Sequence, residues 1–300
     1  MIHIDFKKIS LVAALFGVLS NSAYAVNVEP LKMELSIPAG TTREVTLNLS
    51  NKAPEAVSIE ASTSTYRFML SENSVLPEGK QPADLLASCE SWISLAQSSL
   101  VVNPGEQQVL NFTISVPQNA SGEYAACILI DELSGSAQPP EILDSDNEAL
   151  GVDLNLEMVY RRSIAIYVFV EGTTAIQGEI LGITITDMST EELVKENFQF
   201  KANNLKFLIT LHNSGTRHIR AKGNIIIFNN AGEPIDSLQS GITLPVFPGF
   251  SERIPVFWPV PEIPEGGQQY TAVVTLDLGD GNIVQSETNF SVNEKGFIVK

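Results

Sequence analysis

The chain has 300 residues, 44% hydrophobic and 18% charged, the balance of a folded globular protein with room for two domains. Its 35 acidic and 18 basic residues give a formal charge of -17. That charge argues against nucleic acid and anionic membrane surfaces as partners, since both are held by clustered Lys and Arg; a neutral or basic protein partner is compatible with it.

Residues 1–25 read as an export signal. Lys7 and Lys8 form a short positive region, Ile9 to Leu19 an apolar one, and Ala23-Tyr24-Ala25 a small-x-small cleavage site. The mature chain is therefore expected to begin at Val26. The apolar run is well short of the roughly 20 residues a membrane helix needs. The first cysteine is Cys89, too late to carry a lipid, and the tail NEKGFIVK past Val292 is short and polar. The expectation is an exported, soluble, periplasmic chain.

Val28 to Ile37 is an edge-like segment interrupted by Pro30. Pro38-Ala39-Gly40 turns it, and Glu44 to Ser50 alternates apolar and polar residues with the period of a half-buried strand. After a turn at 51–55, Ala56 to Phe68 is strand-like, and residues 71–91 are irregular with one helical turn expected at Ala83 to Ala87. Val109 to Val116 is a second alternating strand, set between the turn residues Asn103-Pro104-Gly105 and Gln118 to Gly122. Tyr124 to Ile130 predicts a more deeply buried strand. The acidic stretch 134–150, SGSAQPPEILDSDNEAL, is a long loop with no apolar period. Met158 to Val170, the most apolar strand of the chain, closes this unit, and residues 171–177 form a linker.

A second set follows. Glu179 to Thr186 opens it, a polar helical patch is expected at Thr190 to Asn197, and Leu205 to Leu211 precedes the turn His212 to Gly215. Asn224 to Phe228 reads as a buried strand followed by a turn at Asn229 to Pro234. The strand at Tyr270 reaches its last partner through Gly279-Asp280-Gly281-Asn282, a hairpin signal. The two sets are copies: Pro104-Gly105 matches Pro248-Gly249, Tyr124 matches Tyr270, and Asp131 matches Asp277. About seven short strands per copy predict an all-β chain of two tandem immunoglobulin-like β-sandwiches, over 26–171 and 178–294.

Cys89 and Cys127 are the only cysteines. Export places them where a disulfide persists, and by the chain-entropy model the bridge would add roughly 3–4 kcal/mol. Two buried thiols are the other reading. Neither cysteine has a redox CxxC spacing, so either role is structural.

Catalytic signals are few. His212 and His218 share one turn region beside Arg217 and Arg220, a poor set of metal ligands. Ser214-Gly215 lacks the spacing of a nucleophile elbow. Asp144 to Glu148 has the acids of a calcium loop, but its glycine, Gly151, falls outside the sixth place that loop requires. No enzyme activity, metal or cofactor is expected. Asn48, Asn111, Asn119 and Asn289 lie in glycosylation-type triplets that decide nothing without knowing the host.

The stretches IPAGTTREVTLNLSN, WISLAQSSLVVNPGEQQVLNFTISVP, SGEYAACILID and YRRSIAIYVFV together resemble the N-terminal domain of usher-pathway pilus chaperones and related periplasmic chaperone-like proteins, over residues 28–171. The stretch LITLHNSGTRHIRAKGNIIIFNNAGEPI and the Pro-Gly segment after it resemble the Ig-like second domain of exported chaperone-like proteins. The resemblance implies a protein client, a pilus or surface subunit, bound by donor-strand complementation. It implies that basic residues, here Lys32 and Arg162, capture a client's terminal carboxylate, and that Ile164, Ile166 and Val168 fill its groove. A strand buried on both faces beside two solvated arginines is the competing reading of the same residues. A structural or adhesive surface-binding module without chaperone activity is the alternative function.

Overall fold

The computed structural model describes residues 26–66, 73–76, 78–79, 86–133, 159–188, 204–241, 245–259, 268–293 and 298–299. The expected signal 1–25, the acidic loop 134–150 with its calcium-like run, and the polar patch 190–197 lie outside them. So does most of the helical turn expected at Ala83 to Ala87, although Ala87 itself begins a short strand.

In chain order the first unit contributes β1 (Val26–Glu29), β2 (Lys32–Ile37), β3 (Thr42–Asn51), β4 (Val57–Thr65), β5 (Ser74–Val75), β6 (Ala87–Ser88), β7 (Ile93–Leu95), β8 (Ser99–Val102), β9 (Gln107–Ser115), β10 (Glu123–Leu133) and β11 (Val159–Val170). Pro30, which has no N–H to give to a ladder, separates β1 from β2. The chain changes sheets there: β1 pairs antiparallel with β3, whereas β2 runs parallel to β11. One sheet is ordered β1-β3-β9-β7 and the other β2-β11-β10-β4-β8, with β6 beside β10. Period-two alternation turns Leu47, Leu49, Leu110, Phe112 and Ile114 of the first sheet against Ile59, Ile128, Ile130, Ile166 and Val168 of the second.

The second unit contributes β12 (Gly178–Asp187), β13 (Asn204–Asn213), β14 (Lys222–Phe228), β15 (Pro234–Gly241), β16 (Ser251–Pro259), β17 (Gln268–Gly279) and β18 (Asn282–Val292). They form sheets β12-β13-β16 and β15-β14-β17-β18 around a core that includes Phe207, Ile225, Trp258 and Val274. The expected pair of all-β sandwiches is present. Among the described residues no helix is long and apolar enough to cross a membrane.

The repeat read from the sequence recurs at the level of single hydrogen bonds. Asn51, buried at the end of β3, donates from Nδ2 to the carbonyls of Glu55 and Val102 at 2.7 and 2.9 Å, and its own carbonyl accepts from Gly105 N at 3.0 Å. Asn213, at the end of β13, donates to Arg217 O and Val246 O at 2.9 and 2.7 Å and accepts from Gly249 N at 2.8 Å. Each glycine sits at positive φ, 72° and 80°, after its proline, a conformation that a side chain would strain. One turn design thus pins each sandwich.

The units also share structure. β5, from the loop of the first unit, adds a fourth strand to the second unit's sheet beside β16. Arg253 N donates to Asn73 O at 2.9 Å, and Ser74 Oγ donates to Glu252 at 2.6 Å.

The expected disulfide is not formed: Cys89 and Cys127 are both buried thiols. Strand alternation explains why. Ala126 and Ile128 face the core that contains Cys89, so Cys127, between them on β10, faces the other side of the sheet. Burial pushes the Cys89 thiol up to about 12 and so disfavours the thiolate that exchange would need.

Candidate functional site

β11 pairs with β10 along its whole length, from Val159 opposite Leu133 to Phe169 opposite Glu123. Its other side is divided. β2 covers Ala165–Val170, and among the described residues no strand lies beside Val159–Ser163 there. Ala165 N donates to Leu31 O, on the β2 side, whereas Val170 N donates to Gly122 O, on the β10 side. Main-chain groups alternate along a strand. Val159, Arg161 and Ser163 therefore direct their N–H and C=O groups outward, at a half-edge that is open among the described residues. Val159 is 50% exposed and Leu133, opposite it, 36%.

The charges on this half-edge are matched across the hairpin. Arg161 Nε and Nη2 donate to the two oxygens of Asp131, both at 2.7 Å. Those bonds hold the Asp131 carboxyl below the usual range against the opposing pull of burial. On the other face Arg162 Nη2 lies 3.0 Å from Glu132 Oε1, at the end of the first core.

The structure separates the residues that the sequence grouped. Ile164, Ile166 and Val168 are fully buried in the first core, and Ile166 and Val168 are paired on both sides, with Met33 and Leu35 of β2 as well as with β10. Their side chains fill this chain's own sandwich. Lys32 and Arg162 are not brought together either. Arg162 shares the inward face with Ile164, whereas Lys32 precedes the inward-facing Met33 and so lies on the outward face. Lys32 Nζ is 2.9 Å from Glu34 Oε1.

Glu34 belongs to a network between the two sandwiches that the sequence did not reveal. Arg220 Nε and His218 Nε2 lie 3.4 and 3.5 Å from the same Glu34 oxygen. Burial works to raise the Glu34 carboxyl, but the Lys32 hydrogen bond and the charges of His218, Lys32 and Arg220 outweigh it and hold it low. His218 also meets Glu123: its backbone N donates to Oε2 at 2.6 Å, and Nδ1 lies 2.6 Å from Oε1. The imidazole ring is packed by Tyr167, Phe169 and Phe247, with centroids 4.8, 5.6 and 5.8 Å away. Tyr167 donates to the Tyr66 hydroxyl at 2.8 Å, and burial followed by that contact pushes the Tyr167 hydroxyl up. The one sequence signal for this network is the basic cluster Arg217, His218 and Arg220.

His212 Nδ1 is 3.0 Å from Ser251 Oγ. Among the described residues no three His, Cys, Asp or Glu side chains are grouped as a metal would need. A groove of about 1060 Å³ lies where the chain changes sheets, lined by Lys32, Glu34, Arg43 and Glu44 with Met33 and Phe112.

No family model matches the chain, and no curated protein matches it. Among solved structures it is similar to the YadV chaperone, at 9% identity over 89% of this chain and 100% of that one, TM-score 0.40. It is similar to the chain matched in a complex of Salmonella enterica SafA pilin with the SafB chaperone, at 13% identity over 88% and 96%, TM-score 0.40. It is also similar to the E. coli chaperone DraB, at 12% identity over 89% and 97%, TM-score 0.39.

Proposed function

We propose that this is an exported, chaperone-like protein that binds an extended segment of a surface or pilus subunit by β-strand addition at the open half of β11. The observation that carries the reading is the division of that strand. β2 stops short, so Val159, Arg161 and Ser163 offer main-chain donors and acceptors in the row that an added strand needs. Arg161 and Arg162 are matched by Asp131 and Glu132, so an incoming strand meets little net charge. The last strand of the second unit differs: β18 carries Gln285, Ser286, Glu287, Thr288 and Asn289 in succession, the polar sequence with which sheet edges discourage pairing.

In this reading affinity comes from main-chain hydrogen bonds along the edge, with Val159 and Leu133 as the apolar contacts. Ile164, Ile166 and Val168 support the strand from beneath. The basic residues near a client terminus would be Lys32 and Arg220, both now drawn to Glu34, and Arg162 has no part in that contact. The export signal read at residues 1–25 supports a periplasmic location.

The experiment is photo-crosslinking in the exporting cell, with a photoreactive residue at Val159 and, as control, at the exposed Ile283 of β18. The expected result is adducts to β-rich exported subunits at Val159 alone. Ser163→Pro removes one outward N–H without touching the β10 ladder, and proline is tolerated at edges. It should abolish the adducts and leave the melting curve nearly unchanged, whereas Ser163→Ala keeps them. Equal adducts at both sites, or adducts that survive Ser163→Pro, overturn the reading.

A further inference from the structure

The residue expected to follow the cleavage site, Val26, is the first residue of β1 and is fully buried. Its nitrogen does not serve the ladder with β3. Asn51, the residue opposite, donates its N–H to Glu106 O at 3.1 Å and accepts from Gly105 N at 3.0 Å. The Val26 nitrogen instead donates to Glu132 Oε2, 106 residues away, at 3.4 Å. Glu132 is 2% exposed, and its other oxygen faces Arg162 Nη2 at 3.0 Å. A buried carboxylate thus reaches the nitrogen of the first residue of β1 while its other oxygen is paired with Arg162.

We infer that processing between Ala25 and Val26 converts this nitrogen into a buried α-ammonium that pairs with Glu132, so that cleavage itself completes the end of the first sandwich. In the hydrolysis a signal peptidase adds water across the Ala25–Val26 peptide bond. The C–N bond breaks, Ala25 departs as the carboxylate end of the released segment, and Val26 keeps the amine, which takes up a proton at neutral pH. The nitrogen that donates one neutral hydrogen bond before cleavage then donates charge-assisted ones, which are shorter and stronger. Glu132 sits between two cations, the ammonium and Arg162, and the ammonium is not left as an uncompensated buried charge. This inference rests on the export reading and is independent of client binding.

The test is a two-by-two cycle on the full mature chain, read by urea unfolding at neutral pH. One axis is the N-terminus: Val26 exposed as a free amine by processing, or preceded by Gly-Ser so that its nitrogen is an amide. The other axis is Glu132 against Glu132→Gln. Crowding by the added residues acts equally on both Glu132 forms, so only the charge pairing appears as coupling between the axes. The expected result is an intact mass that begins at Val26, with Glu132→Gln raising the unfolding constant at least about tenfold more in the free-amine form than in the extended form. Should the Gln variant not fold, Glu132→Asp, which keeps the charge but shortens its reach, takes its place in the same cycle. Equal effects in both forms overturn the pairing while export stands. A mature mass that begins elsewhere overturns the inference at its premise. Neither result touches the half-edge proposal, which the Val159 adducts decide.

Discussion

The two halves of β11 belong to one continuous strand and differ in everything that decides a role. From Ala165 to Val170 the backbone is paired on both sides, Ile166 and Val168 lie in the first core, and Tyr167 and Phe169 lie in the contact with the second sandwich. From Val159 to Ser163 the outward backbone groups meet no described strand, and the charged side chains lie in cross-hairpin pairs. Apolar character alone does not mark a docking strand. The most apolar part of this one is core, and the proposed docking half is the polar part that precedes it.

The sharpest way to break that contrast is to put charge into each half. Ile166→Asp with Val168→Asp buries two unpaired carboxylates in the first core, a cost of about 5 kcal/mol or more, and the first sandwich should unfold. Val159→Asp adds the same charge to an exposed position and should change stability by no more than about 0.5 kcal/mol. Urea unfolding of both variants checks this. A double variant that melts like the parent would return Ile166 and Val168 to the role of groove-filling side chains.

The outward face of the covered half gives the next effect in size. His218→Ala removes the partner of Glu123 and leaves a carboxylate buried between the sandwiches with a backbone N–H beside it. Breaking a buried pair from one side costs about 3–5 kcal/mol. Unfolding midpoints of His218→Ala and of the double variant with Glu123→Gln measure it. The double variant should recover part of the loss, since it no longer buries an unmatched charge. A loss below about 1 kcal/mol in the single variant would make this contact equivalent to an exposed ion pair.

The strands and turns were legible because their signals are local. Alternation in Glu44 to Ser50 and Val109 to Val116, and the Pro-Gly turns at 104–105 and 248–249, are consequences of a two-residue period and of positive φ, and both are written residue by residue. What escaped depends on pairing between distant segments. Whether Ile166 is a donor or a core residue turns on where β2 lies, and β2 is more than 120 residues earlier in the chain. The disulfide failed for a similar reason: two cysteines in an oxidising compartment suggest a bridge, but the face each occupies is set by strand register, which no count supplies. The Glu34–His218–Arg220 network needs the relative placement of two sandwiches, and each of its residues reads singly as a solvated charge.

The smallest expected effect lies where the two comparisons meet, at Lys32, on the first residue of the strand that covers half of β11. Lys32 is the leading influence that holds the Glu34 carboxyl low against burial, so Lys32→Met should raise it. Lys32 is 46% exposed, so solvent screens its charge and the contribution to stability is about 0–1 kcal/mol. Because the folded carboxyl titrates below its unfolded value, that contribution is complete above the ordinary Glu range near about 4.3 and is lost as pH falls through the lower folded value. Urea midpoints of parent and variant should therefore differ at neutral pH and converge in acid, once Glu34 is protonated in both. A difference that persists unchanged in strong acid would mean that Lys32 acts through packing of its stem on β2, and the charge network would then end at Arg220.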